Sequence, residues 1–271
     1  VKLISQKALN LTAGVVIQVL SCQGAASVEE RLPEASTVMQ KVLERAEDVA
    51  RSGEAGKYCY EKRSVKEELD AAGKATKTNE EMYEVVPIGG MPFSRLVKVQ
   101  NRELTPEEIE AQDRKEREFR QKLAGREPSR LARKHAIKLS QDLVQRYEFN
   151  VERRESFENR PMLVLSFHPK ANHGAEKSVE DKLLDRLAGT LWVDEKEAEV
   201  AQLHVSPEEA LGIGWLGMIA TIRQFDLTIE RQRLPDGVWV NKEQTLVLRG
   251  RKLLSPMRIR TLEESFNFRK P

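Results

Sequence analysis

With 45 basic and 43 acidic side chains in 271 residues, the formal charge of +2 leaves no concentrated positive field for a polyphosphate partner, so nucleic acid is excluded. Charged residues at 32% require a well-solvated surface, and a hydrophobic content of 39% exceeds that of a disordered chain. The length accommodates one large β domain or two ordinary ones.

Lys2 and Lys7 precede a mostly apolar run from Ala8 to Ser21, and the small residues Gly24-Ala25-Ala26-Ser27 follow. That order matches a secretory signal peptide, which places a signal at residues 1–26 and a mature domain at 27–271. The run contains Asn10 and Gln18 and falls short of the roughly 20 apolar residues of a membrane span, so none is expected in the mature chain. A buried N-terminal helix is the alternative reading. Val19-Leu20-Ser21-Cys22 also resembles the bacterial lipobox, which makes Cys22 a candidate for acylation in place of cleavage after Ala26. Either way Cys59 has no partner within the mature chain, so no disulfide framework is expected.

Apolar residues at helical spacing from Val28 to about Ala50, with Pro33 in the first turn, predict one amphipathic helix ended by Gly53. Tyr58 to Leu69 and Thr76 to Pro87 flank a turn-rich stretch and predict a hairpin, followed by a strand from Phe93 to Val99. Thr105-Pro106-Glu107-Glu108 is a capping box that opens a charged stretch to about Leu123, read as a solvated spacer helix. Ser129 to Arg146 carries one apolar stripe and predicts a packing helix, so the helical insertion spans about 103–146.

From Tyr147 the apolar period changes to two. Hairpins are predicted over Phe149–Ser156 with Met162–His168, and over Gly189–Asp194 with Glu199–Val205. Phe225, Leu227 and Ile229 alternate with polar residues up to the turn Pro235-Asp236-Gly237. Val238–Val240, Gln244–Arg249 and Met257–Leu262 continue the meander. Its arginines Arg249, Arg251, Arg258 and Arg260 fall on the solvent face, where they serve either as gatekeeping charges or to dock an acidic partner or lipid head groups.

Gly212-Ile213-Gly214-Trp215-Leu216-Gly217 has the spacing of a dinucleotide fingerprint, but a Pro-Glu-Glu segment stands where its strand belongs and no helix follows. No cofactor is expected. Ile213, Trp215, Leu216, Met218 and Ile219 instead form an apolar patch that either fills a sheet face or lines its rim, and Trp192 and Trp239 join it as candidate ligand-lining residues. The four histidines do not converge with cysteines or carboxylates, so no metal is expected, and neither a nucleophile elbow nor an acid/base pair stands out. A catalytic residue is therefore not assigned, and the chain is read as a non-enzyme.

The phrases Gly189-Thr190-Leu191-Trp192-Val193-Asp194, Asp236-Gly237-Val238-Trp239-Val240, Glu263-Glu264-Ser265-Phe266-Asn267-Phe268 and Pro92-Phe93-Ser94-Arg95-Leu96-Val97 look like recurrent strand and turn phrases of an uncharacterised bacterial envelope family. Together with the order of elements, they resemble the LolA/LolB-like outer-membrane lipoprotein-sorting superfamily. The resemblance implies an α+β fold: an incurved antiparallel β-sheet, a half-open barrel, with helices packed on or plugging its concave face. It further implies a periplasmic protein, or one held at the periplasmic face of a membrane, that binds a lipid or an acylated lipoprotein. An envelope-protein partner, with the cavity packed by the chain's own side chains, is the alternative. The charged helical insertion departs from a minimal carrier of this kind.

Overall fold

A computed structural model describes residues 31–124, 140–170, 181, 184–213, 220–252 and 255–271. Leu32–Pro271 form one unit built on an antiparallel sheet that curves inward without closing.

Helix α1 (Ala35–Ser52) opens the unit. It starts later than the apolar pattern suggests: Glu34 is its N-cap, and Pro33 stands before the helix instead of in its first turn. Gly53 ends it in the left-handed conformation, φ 60°, its amide donating to the Val49 carbonyl at 3.0 Å. Strands β1 (Cys59–Leu69), β2 (Ala75–Ile88), β3 (Met91–Val99) and the two-residue β4 (Arg102–Glu103) follow as successive hairpins. Cys59 is a buried free thiol.

The capping box forms as expected: the Glu108 amide donates to Thr105 Oγ1 at 3.3 Å, and the Thr105 amide to Glu108 Oε2 at 2.8 Å. It starts α2 (Pro106–Ala124), which is not a free spacer. Asp113 and Glu116 clasp Arg95 of β3 at 2.5 and 3.0 Å, Phe119 packs on Phe93 with ring centroids 5.2 Å apart, and Gln112 is buried. The predicted packing helix is also corrected. Ser140 is extended and caps a short helix, α3 (Gln141–Gln145), so no single helix runs through Leu139 to Arg146; residues 125–139 lie outside the described set.

The second half is a meander: β5 (Tyr147–Phe157), β6 (Arg160–Pro169), β7 (Leu187–Asp194), β8 (Val200–Pro207), the short β9 (Leu211–Ile213), β10 (Ala220–Arg233), β11 (Trp239–Lys252) and β12 (Ser255–Arg269). Two strands that are separate in the sequence pattern, Val238–Val240 and Gln244–Arg249, merge into the continuous β11, which starts one residue later at Trp239 and whose ladder with β10 absorbs an irregularity at Glu230/Arg231. Strand order is β4-β3-β2-β1-β12-β11-β10-β8-β7-β6-β5, with β9 added on β10. Because β1 pairs with β12, the chain's two halves form one sheet, with β5 at one edge and β4 at the other.

The core lies between α1 and β5–β10. Val38, Met39 and Val42 of α1 pack on Tyr147, Leu163, Leu165, Phe167, Leu191, Val193 and Val205, with Phe225 and Leu227 at the margin. Full burial of each large apolar side chain contributes about 1.5–3 kcal/mol. Gly189 of β7 makes room for this packing. A Cβ there would lie 2.0 Å from the His204 carbonyl oxygen and 2.8 Å from the Phe167 ring. Gly189→Ala is expected to cost about 1–3 kcal/mol through forced shifts of Phe167 and the β7–β8 ladder, measurable as a lower urea midpoint; an unchanged midpoint would show that the ring has room to move.

Candidate functional site

A groove of about 730 Å³ runs between α1, α3 and the edge strand β5. Its length comes from the helix period. Ala35, Met39, Leu43 and Glu47 form one row of α1 at four-residue spacing, and Ser36, Gln40 and Glu44 form the next. Twelve residue steps at 1.5 Å make this wall about 18 Å long. Met39 belongs both to this wall and to the core cluster, so the helix is seated by one edge of its apolar face while the other edge is offered to the groove.

The opposite wall is Gln141, Val144 and Gln145 of α3, and the floor is Tyr147 and Phe149 of β5. Ser140 fixes the start of α3 by accepting the Leu143 amide at 3.2 Å. Arg146 anchors its end to Asp181 at 2.6 Å and Asp185 at 3.2 Å. Tyr147, Phe149 and Phe167 form an aromatic triad: Tyr147 meets Phe167 edge-on at 5.3 Å, and Phe149 lies 6.0 Å from Phe167. The floor is therefore rigid.

The polar atoms of the groove do not converge. The Tyr147 hydroxyl donates to the Leu184 carbonyl at 2.6 Å, and burial, aided by the Asp185 carboxylate and opposed by Arg146, pushes its pKa up to about 12. Lys170 Nζ donates to the Gln145 carbonyl at 3.1 Å, and Gln40 donates to Glu44 at 3.0 Å. The floor of Tyr147 and Phe149 is apolar, and although Glu44, Glu47, Glu148 and Lys170 also line the groove they form no paired acid and base, so the site suits burial of an apolar chain better than acid–base work. Among the described residues no three His, Cys, Asp or Glu side chains are grouped to hold a metal ion.

Two of the sequence-predicted lining residues, Trp192 and Trp239, can be located, and both lie outside this groove. Trp192 points to the face opposite α1, since its neighbours Leu191 and Val193 belong to the α1-covered cluster, and its Nε1 donates to Glu155 at 2.5 Å. Trp239, 3% exposed, packs with Met162 and Ala201 and donates to Glu197 at 2.7 Å. The structure does not bring these two tryptophans into the groove. Ile213 is described only in its backbone, as the last residue of β9. Trp215, Leu216, Met218, Ile219 and Cys22 lie outside the described residues. The groove residues Met39, Leu43, Val144, Tyr147 and Phe149 were legible only as core stripes. The signal that could have found them is the pairing of two such stripes, each wider than one packed face needs.

No family model matches the sequence, and no curated protein matches it. Solved structures do. A domain assigned to outer membrane lipoprotein sorting from Vibrio parahaemolyticus matches with a TM-score of 0.35 and 10% identity over 85% of this chain and 92% of that chain. A LolA superfamily protein from Nitrosomonas europaea matches with a TM-score of 0.30 and 11% identity, over 86% and 93%. The complex of Pseudomonas aeruginosa MucA and MucB matches with a TM-score of 0.23 and 11% identity, over 83% and 94%. The first two bear the superfamily name that the sequence phrases resemble. At these TM-scores no residue correspondence is drawn from the likeness.

Proposed function

We propose that this chain is a non-enzymatic protein of the bacterial envelope that binds the acyl chain of a lipid or lipoprotein by burial in the groove between α1 and β5. The observation that carries this reading is the groove itself: about 730 Å³, about 18 Å long on its helical wall, floored by Tyr147 and Phe149 and walled by Met39, Leu43 and Val144. Its volume falls in the range of small-molecule sites, and its length matches an extended chain better than a compact ligand. Export through residues 1–26, or anchoring through Cys22, supplies the compartment in which such chains occur. The patch Ile213 to Ile219 is proposed as an additional apolar rim.

Titration of a fluorescent fatty acid into the purified protein tests the reading. Saturable uptake is expected, and Leu43→Gln, at a half-buried wall position, is expected to weaken it roughly tenfold through loss of apolar contact while folding is retained. Absence of uptake, together with absence of lipid in an organic extract of the protein, would sink the proposal.

A second reading, an interaction module with a self-packed core, is supported by Trp239, which is buried against the chain's own Met162 and Ala201. It is favoured if the fatty acid is not taken up and the protein co-purifies with a stoichiometric envelope protein instead.

A further inference from the structure

Independently of the groove, the geometry points to a docking face for an anionic bilayer surface, made by Arg249, Arg251 and Arg258 on β11 and β12. The ladder places Arg249 directly opposite Arg258, and Arg251 follows two residues along β11 on the same face. The other face of these strands is defined by Leu248, which pairs with both Phe225 and Ile259. Phe225 belongs to the margin of the α1-covered core, so the three arginines look away from α1.

Two guanidinium groups directly across a ladder destabilise the strand pair unless an anion lies between or above them. Among the described residues no carboxylate takes that role. Glu67 is held by Arg260 at 2.6 Å, Asp226 accepts from Gln224 Nε2 at 2.5 Å, and Asp70 accepts the amides of Ala72 and Lys74, both at 2.9 Å. Among the described residues Arg249, Arg251 and Arg258 have no acidic partner. Arg249 and Arg251 are exposed, and Arg258 is half-buried between them and the next strand.

The planar guanidinium forks each match a phosphate oxygen pair, and three of them on one extended strand face present a flat array instead of a pocket. A flat array of this kind fits the phosphate plane of a membrane better than a single small anion, which would need convergent donors. By ladder register these residues sit near the β1–β2 turn, where Arg249 approaches Gly73. They also lie at the same end of the sheet as the groove floor: β5 begins there at Tyr147, and β8 ends there at Pro207.

Sedimentation of the full chain with vesicles tests the assignment. Binding is expected to vesicles of phosphatidylcholine mixed with phosphatidylglycerol and not to phosphatidylcholine alone, and to fall with added salt. The triple substitution R249Q/R251Q/R258Q is expected to weaken binding roughly a hundredfold at low ionic strength. Removing the Arg249/Arg258 repulsion should leave the thermal midpoint unchanged or slightly higher, which separates loss of docking from loss of folding. Binding to both vesicle types alike, binding unaffected by the triple substitution, absence of vesicle binding, or capture of polyglutamate in place of vesicles would each overturn it.

Discussion

Asp194→Ala is expected to lower the unfolding free energy by about 3–4 kcal/mol, a large share of the stability of an ordinary domain. Asp194 is a fully buried charge at the corner of the β7–β8 hairpin. One carboxylate oxygen accepts the amides of Lys196 at 3.0 Å and Glu197 at 2.8 Å, and the other takes Arg160 Nε at 2.5 Å. Truncation leaves two turn amides and a guanidinium without their acceptor, while Arg160, 26% exposed on its side chain, recovers part of the loss by hydration. Asp194→Asn, which keeps an acceptor oxygen but not the charge, should cost less. Burial pushes the Asp194 carboxyl up, but Arg160 and the amides of Glu197 and Lys196 outweigh it and hold the pKa below the ordinary Asp value. Glu197 is likewise lowered, with Trp239, Arg160 and Arg233 outweighing its burial. Depressed carboxylates stabilise the fold above their unfolded pKa values, about 4, and the contribution is lost as pH falls through the folded values. The gap between wild type and Asp194→Ala should therefore be full at neutral pH and shrink in acid. Urea unfolding at both pH values measures it.

Met39→Asp is expected to cost about 3–5 kcal/mol and to abolish acyl-chain uptake. Met39 is 2% exposed, sits in the core cluster and forms part of the groove wall, so the substitution removes apolar burial and buries a carboxylate, while the nearest cation of α1, Lys41, stands two residues on and therefore on another side of the helix. Among the described residues the polar tie from helix α1 to the sheet is the pair of Arg45 with Glu199, just before β8, at 2.8 Å, with Glu199 also held by Arg231 at 2.7 Å. A single partly exposed pair does not hold an 18-residue helix once its apolar seat is lost. Hydrogen exchange should report fast exchange across Ala35–Ser52 in the variant, with slow exchange retained in β6 and β7. Met39→Leu, close in volume, should keep both stability and uptake.

The hairpins were legible in the sequence because turn residues and a period of two announce them locally. Gln100-Asn101 and Glu158-Asn159 adopt positive φ at the β3–β4 and β5–β6 turns. Element ends and docking were less legible because tertiary contacts decide them. Nothing local reveals that a nearly all-polar α2 lies on β3, since its anchors are one aromatic, Phe119, and two acids aimed at Arg95. The break at Ser140 is hidden by an apolar stripe that continues through it in helical register. The groove was hidden for the same reason: Leu43 and Phe149 are more than a hundred residues apart, and each reads alone as an ordinary core position. Trp192 and Trp239 read in the sequence as large apolar side chains, yet their indole N–H groups are satisfied by Glu155 and Glu197 on the faces where they pack.

Native mass spectrometry of the purified protein incubated with a palmitoyl lysophospholipid tests the acyl-binding groove most directly. A one-to-one complex in the wild-type protein that disappears in Met39→Asp and persists in Met39→Leu is the expected result. A spectrum showing only the unliganded mass in all three proteins, or equal occupancy in all three, would contradict a binding site between α1 and β5.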